Sequence, residues 1–289
     1  VRGEKGGAVT GRFSYSNPNL QQVPARNKDL GPLIRSLFLP ERNHTWGCFD
    51  YSQQEPRLVV HYAAASPKLR EDDEVKSIVE RFKSNDVDFH QTVADMAGIE
   101  RIQAKTINLG LFYGMGKAKL QAELGLSTKE EAEKLFEKYH SRVPFVKDLM
   151  NNTSRDSQRN GYITTLLGRR CRFDTWEEAA FRPGKLTSAM TWEEASAKFG
   201  ENNIRRAYTY KALNKLIQGS AADMTKKAML DLYEEKIIPH IQIHDELDVS
   251  VESEKHANKI IDIMQNAVKL HVPNKVDYES GENWGDIYD

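Results

Sequence analysis

The sequence predicts an α/β fold of the α+β type: an antiparallel sheet with flanking helices, and a helical subdomain inserted between two sheet-forming segments. An apolar segment ends in the acidic string FDYSQQEPR around Asp50, and IQIHDELDV alternates apolar and polar residues on either side of Asp245. Between them runs a long stretch whose apolar residues recur at helical spacing, so the two sheet segments must be joined by folding. Each Asp stands where an apolar strand stops.

Taken in order, the chain is rich in Asn, Pro, Gln and Ser up to Pro24, then apolar through Leu33, Ile34, Leu37, Phe38 and Leu39, which predicts coil leading into strands. Leu58 to Val60 with Tyr62 to Ala65, then Val75 to Phe82, then Val93 to Met96 predict helices. Ser127 with Glu130 reads as a capping box; Ala132, Leu135, Phe136 and Tyr139 form one apolar face of the helix it opens, and Pro144 stops that helix. GYITTLLGRRCRF predicts a hairpin turning near Leu167 and Gly168. The polar stretch from Asp174 to Asn203 repeats TWEEA at Thr175 and Thr191, too few copies for a solenoid, and carries no assigned chemistry. Arg205 to Glu235 is helical, Ile241 to Val251 is strand, bend and strand with Asp245 at the bend, and Ser253 to Leu270 predicts a last helix. Ile260, Ile261, Met264 and Val268 on one face of that helix would cover the sheet.

At 289 residues with 39% hydrophobic content the chain can bury a sizeable core. No apolar run approaches the roughly 20 residues of a membrane span, and the N-terminus lacks a basic-then-apolar leader, which predicts a cytoplasmic protein. Cys48 and Cys171 are too few for a disulfide framework or zinc site and read as buried free thiols. A net charge of −1 gives no basic footprint, so contacts to nucleic acid must come from local clusters. The chain begins at Val1 in VRGEKGGAVTGR and reads as a piece of a longer polypeptide.

Two strand-end carboxylates brought together would hold a divalent metal, since Mg2+ takes oxygen ligands from one or two carboxylates plus substrate phosphates. HDE alone is also an ordinary solvated turn. In RIQAKTINLGLFYGMG, Arg101, Lys105, Leu109 and Tyr113 recur every fourth position, so the row drifts only about 40° per step around a helix. Two cations followed by an apolar and an aromatic group suit a nucleoside triphosphate, and suit equally a solvated basic turn followed by core. Arg12 lies among Asn17, Asn19, Gln21 and Gln22, either readers of base edges or a polar loop. Arg205, Arg206, Lys211, Lys215, Lys226 and Lys227 with Gln218 could follow a phosphate backbone or face solvent.

In this order the strings resemble the polymerase module of family A DNA polymerases, the bacterial DNA polymerase I type, over nearly the whole chain. TGRFSYSNPNLQQVP resembles the family's TGRLSSxxPNLQNIP, DYSQQEPR its DYSQIELR, and RIQAKTINLGLFYG its RRxAKxxNFGxxYG. LIQGSAAD resembles MQGTAAD, IQIHDE resembles QVHDE, and SGENW the C-terminal ending. The spacing of KALNKLIQGSAADMTK and the insertion before it are closer to the phage branch.

The resemblance implies a palm made of 1–56 and 205–289 and a fingers subdomain at 57–204, with an insertion at about 174–203. The thumb and exonuclease domains that normally precede this module have no counterpart in the chain. It implies template-directed addition of deoxynucleotides to a primer 3′-hydroxyl by two-metal phosphoryl transfer, in replication of a phage or virus. Primer-template DNA and dNTPs are the implied partners, and two Mg2+ ions, replaceable by Mn2+, the cofactors. Asp50, Asp245 and the Tyr51 carbonyl would bind metal, with Glu246 a weaker accessory. Gln53, His90, Arg101, Lys105, Leu109 and Tyr113 would bind the nucleotide, with Lys105 also protonating the departing pyrophosphate and Glu55 filling the space of a ribose 2′-hydroxyl. Arg12, Asn17, Asn19, Gln21, Asn214, Gln218 and His244 would contact DNA.

Leu109 stands where the family usually has Phe or Tyr, which predicts altered nucleotide selection; Gln54 and Pro56 replace Ile and Leu, and Tyr210 stands where Arg is common. A single-subunit RNA polymerase is a rival that Glu55 and the HDE string oppose. A silent nucleic-acid-binding module is another, which intact Asp50, Lys105 and Asp245 oppose.

Overall fold

A computed structural model describes residues 8–24, 27, 29–83, 88–112, 121–180 and 189–287, apart from the side chains of Leu109, Leu111 and Phe112. In chain order its elements begin with α1 (Leu30–Arg35), β1 (Thr45–Tyr51), α2 (Gln54–Ala65), α3 (Asp73–Phe82), α4 (Phe89–Ala97) and α5 (Arg101–Phe112). There follow α6 (Lys129–Arg142), α7 (Pro144–Asn160), β2 (Tyr162–Thr164), β3 (Arg170–Arg172), β4 (Trp176–Glu178), α8 (Trp192–Phe199) and β5 (Ile204–Arg206). The last are α9 (Ala212–Glu234), β6 (Ile241–Ile243), β7 (Glu246–Val251), α10 (Glu254–Asn266) and β8 (Val276–Gly281). The chain forms two compact units: Val1–His61, Val79–Asp86 and Gln218–Asp289 make the first, and Tyr62–Ile78 and Val87–Ile217 the second.

The first unit is built on an antiparallel sheet of order β6-β7-β1-β8. Paired residues share a face, so the register Cys48 to Asp248 and Glu279, and Asp50 to Glu246 and Asp277, lines one face with acids. Farther along that face Trp46 and Cys48 join Ile241 and Trp284 in an apolar cluster. The opposite face carries Phe49, Leu247 and Val249, all buried. α10 packs on the strands, buries Ile260 and Met264, and accepts the Tyr51 hydroxyl on the Met264 carbonyl at 2.6 Å. Ser253 caps it, its hydroxyl accepting from the His256 N–H. On this face only glycine fits at position 47: a Cβ there would lie 2.5 Å from Val251 Cγ2 and 3.0 Å from the rings of Phe49 and Tyr278.

The second unit is mostly helical. α4 packs on α5 and α6, and Phe89, Val93, Ile107, Tyr139, Phe145 and Val146 are fully buried. The β2–β3 hairpin turns with Gly168 at φ 86 and buries Ile163, Cys171 and Phe173 against Ala212 and Leu216. Both cysteines are buried thiols outside any disulfide. Among the described residues no helix is long and apolar enough to cross a membrane.

Several local expectations are corrected. Residues 30–35 form a helix where strands were expected, because Gly31-Pro32 suits a first helical turn and Leu33 and Leu37 stay exposed with no strand to pair. The capping box is Thr128 with Glu131, one residue later than expected, and Pro144 opens α7 at its N1 position as well as ending the helix before it. Residues 204–206 are strand, paired with β4. The two TWEEA copies do not form a structural repeat. The first is held as strand by pairing with β5, by the Arg205–Glu177 ion pair at 2.8 Å and by Arg206 over the Trp176 ring. The second starts a helix, Thr191 capping Glu194, because Ala, Ser and Lys follow it in place of a strand partner. β8, which the sequence reading lacked, completes the sheet.

Gly47→Ala should destabilise the first unit by about 1–3 kcal/mol through overpacking, read by chemical denaturation; a denaturation midpoint equal to that of the parent would refute the close contact.

Candidate active site

An acidic cluster lies wholly in the first unit. Asp50 is next to last in β1, Glu246 stands opposite it on β7 and Asp277 opposite on β8. Asp245 occupies the two-residue bend between β6 and β7, which His244 turns with φ 56 and Gln242 braces by donating to the His244 carbonyl at 2.6 Å. The Tyr51 N–H donates to the Asp245 carbonyl at 3.3 Å, locking the bend to the end of β1. The sheet therefore brings Asp50, Tyr51, Asp245 and Glu246 together. The carboxyl of Asp50 is pushed up to about 8, first by the protein packed around it, then by Asp245, Glu246, Asp277 and Glu279. It still keeps an open side to solvent, as a ligating oxygen must. Burial also pushes Asp245 up, Glu55 adds to this, and Arg12 opposes it. Oxygen donors whose mutual repulsion only protons or a cation relieve suit a hard divalent ion.

Around this centre the N-terminal segment is tied down at three points. Arg12 pairs with Glu55 at 2.6 Å, Lys226 donates to the Gly11 carbonyl at 2.6 Å, and the Tyr15 hydroxyl accepts from the Gln242 N–H at 3.2 Å. Asn19 caps the turn at Leu20–Gln22, and the Gln21 amide donates to the Phe13 carbonyl, so these two side chains shape their own loop. Asn17 is exposed. Gln53, at φ 53, makes the corner between β1 and α2. Gln54, where the family has Ile, is buried and donates to Thr225 Oγ1 at 3.3 Å and the Ala221 carbonyl at 3.4 Å, fixing the turn that carries Glu55 to α9. Arg57 is a structural clasp, donating to the carbonyls of Ser52 and Pro273. Gln218 lies in the first unit and Asn214 in the second, one turn apart on α9.

A basic cluster belongs to the second unit. Arg101 and Lys105 are exposed on successive turns of α5, and both bear on His90 of α4. Asp88 organises the corner: one oxygen caps α4, accepting from the N–H groups of His90 and Gln91, and the other takes Arg101 at 2.7 Å. Burial, aided by Lys105 and Arg101, lowers His90 to about 4, so the ring is neutral at pH 7. The Tyr139 hydroxyl donates to Asn108 Oδ1 and Asn108 Nδ2 donates to His90 Nδ1 at 3.2 Å, which leaves the imidazole proton on Nε2. The roles of Asp88, Asn108 and Tyr139 were missed in the sequence; an Asn flanked by apolar residues in RIQAKTINLG, and an Asp in the capping position before FHQTVA, were the available signals. Tyr113 and the side chain of Leu109 lie outside the described residues.

The family model for DNA polymerase family A matches residues 3–286. A DNA-directed DNA polymerase of Pseudomonas phage M6 is 37% identical over 96% of this chain and 44% of its own length. DNA polymerase I of Geobacillus stearothermophilus is 36% identical, over 96% of this chain and 30% of its own. The POL domain of Pol1 from M. smegmatis, in complex with DNA primer-template and dNTP, superposes with a TM-score of 0.76 at 28% identity, covering 98% of this chain and 47% of that one. The chain belongs to DNA polymerase family A, a metal-dependent family, and spans less than half the length of these relatives.

Asn108→Ala should cost about 1–3 kcal/mol, because Tyr139 and His90 lose a buried partner, as urea denaturation would register; parental stability would contradict the relay. His61, His90 and His140 are each held near 4 by burial, below their ordinary 6.5. Between those values the unfolded chain binds more protons, so stability is full above pH 6.5 and is lost as pH falls toward 4. Asp50, held near 8, works in the opposite sense over that window, so the imidazole contribution is read as a difference. The melting temperature of His140→Gln relative to the parent should rise as pH falls from 6.5 toward 4, and a pH-independent difference would count against a neutral buried imidazole at His140.

Proposed function

We propose that the protein is a template-directed DNA polymerase that adds deoxynucleotides to a primer 3′-hydroxyl. The observation that carries this is the register setting Asp50 opposite Glu246 with Asp245 at the adjacent bend. Asp50, Asp245 and the Tyr51 carbonyl would hold two Mg2+ ions, which Mn2+ can replace, with Glu246 as accessory. Such a pair of ions activates an attacking hydroxyl and stabilises the leaving oxygen of an in-line displacement. His90 would donate from Nε2 to a phosphate oxygen without adding charge, and Arg101 and Lys105 would supply the positive charge for the triphosphate. Lys105 would then give its proton to the departing pyrophosphate. Glu55, held by Arg12, would occupy the space of a ribose 2′-hydroxyl, which disfavours ribonucleotides.

Leu109, Tyr113 and Gln53 complete the proposed nucleotide contacts. Arg12, Gln218 and His244 would report on the primer terminus through minor-groove acceptors alike on every correct pair. Asn17, Asn19, Gln21 and Asn214 would add further DNA contacts. In this reading 1–56 and 205–289 serve as palm and 57–204 as fingers, acting in phage replication in a host cytoplasm. The phage relative and the primer-template and dNTP carried by the M. smegmatis domain support it.

Primer extension tests the reading. The parent should extend with dNTPs in preference to NTPs, and Asp245→Asn, with unchanged melting, should lose roughly a thousandfold or more in rate, several kcal/mol of transition-state stabilisation. Extension at the parental rate by the variant would sink the assignment.

A further inference from the structure

One pleat along the sheet from Asp50, the same acidic face holds a different donor set. Cys48 Sγ, a carboxylate oxygen of Asp248 and one of Glu246 lie within 4.8 Å of one another. Cys48 is 4% exposed, Asp248 is fully buried and Glu246 is half-buried. The thiol donates to Asp248 Oδ1 at 2.8 Å, while Asp248 Oδ2, equally buried, has no hydrogen-bond partner. A carboxylate oxygen hidden from water without a donor is costly to keep and marks a missing partner.

The charges point to what that partner is. Burial disfavours the charged form of Asp248, and after Cys48 the Trp46 indole, Arg35 of α1, itself buried over the Trp284 ring, and Glu246 act against that. Thiolate, two carboxylates and one guanidinium sum to two negative charges, which one divalent cation cancels. Sulfur decides the class of ion, because Mg2+ prefers oxygen whereas Zn2+ and its softer analogues take thiolates. We propose that Cys48, Asp248 and Glu246 form a second cation site, adjacent to that of Asp50 and Asp245 and sharing Glu246 with it, which takes a thiophilic divalent ion such as Zn2+.

On binding, the thiol proton leaves to solvent as Sγ bonds the ion. A tetrahedral set wants sulfur and oxygen about 3.5 Å apart, so the Cys48–Asp248 contact opens slightly. The ion would also draw Glu246 away from Asp50, its partner across the β1–β7 pair. The argument for the site rests on Cys48 and Asp248, which the polymerase reading does not use; Glu246 is common to both.

Cadmium reports on it, since a Cd2+–thiolate bond absorbs in the ultraviolet. Titrating the purified protein with Cd2+ in excess Mg2+ should give a charge-transfer band saturating at one ion per chain. Cys48→Ser should abolish the band, Cys171→Ser should retain it, and Asp248→Asn should weaken binding about tenfold or more. No band in the parent, or one that survives Cys48→Ser, overturns the site. Should Cys48→Ser fail to fold, parental Cd2+ affinity in Asp248→Asn overturns it instead.

Discussion

Pairing on both sides of β1 is the constraint from which the rest follows. A central antiparallel strand must match the face of each neighbour, so residues far apart in sequence are forced side by side. Here β7 and β8 bring Glu246 and Asp277 against Asp50, and Asp248 and Glu279 against Cys48. A slip of one residue would turn Asp50 into the apolar layer beneath α10 and bring Phe49 to the surface. Burial of Phe49, Leu247 and Val249 on the far face therefore supplies the free energy that holds like charges together on the near one.

That concentration of charge explains the local architecture. The bend at Asp245 is tied by backbone and side-chain hydrogen bonds, and Glu55 is neutralised by Arg12. The second unit follows the opposite logic. Its cations stand exposed on α5, whereas the groups that orient His90 are buried and uncharged. Tyr139 and Asn108 fix a tautomer, and Asp88 fixes both the start of α4 and the position of Arg101. Exposed charge carried on a neutral, hydrogen-bonded base is open to a polyanion while its anchor stays buried.

Much of this was legible in the sequence, because motif spacing and alternation are local. The carboxylates at the strand ends, the β6–β7 bend, the β2–β3 hairpin and the row of Arg101 and Lys105 could all be read from residues within a turn or two of each other. Elements that depend on a distant partner were not. The two TWEEA copies became strand and helix according to their surroundings, and α1 formed where no strand was available to pair. β8, VDYESG, alternates without a clear apolar face, and its acids gain meaning only beside Asp50.

Residue types and their order thus specified which carboxylates, cations and helices the molecule has, since periodicity and capping act over a few residues. Folding alone decided their company: the pairing of Cys48 with Asp248, the buried Asn108 between Tyr139 and His90, and the hold of Gln54 on α9. Each of these unites residues 18 to 200 positions apart, a separation over which no local pattern carries information and only burial and strand register choose the partner.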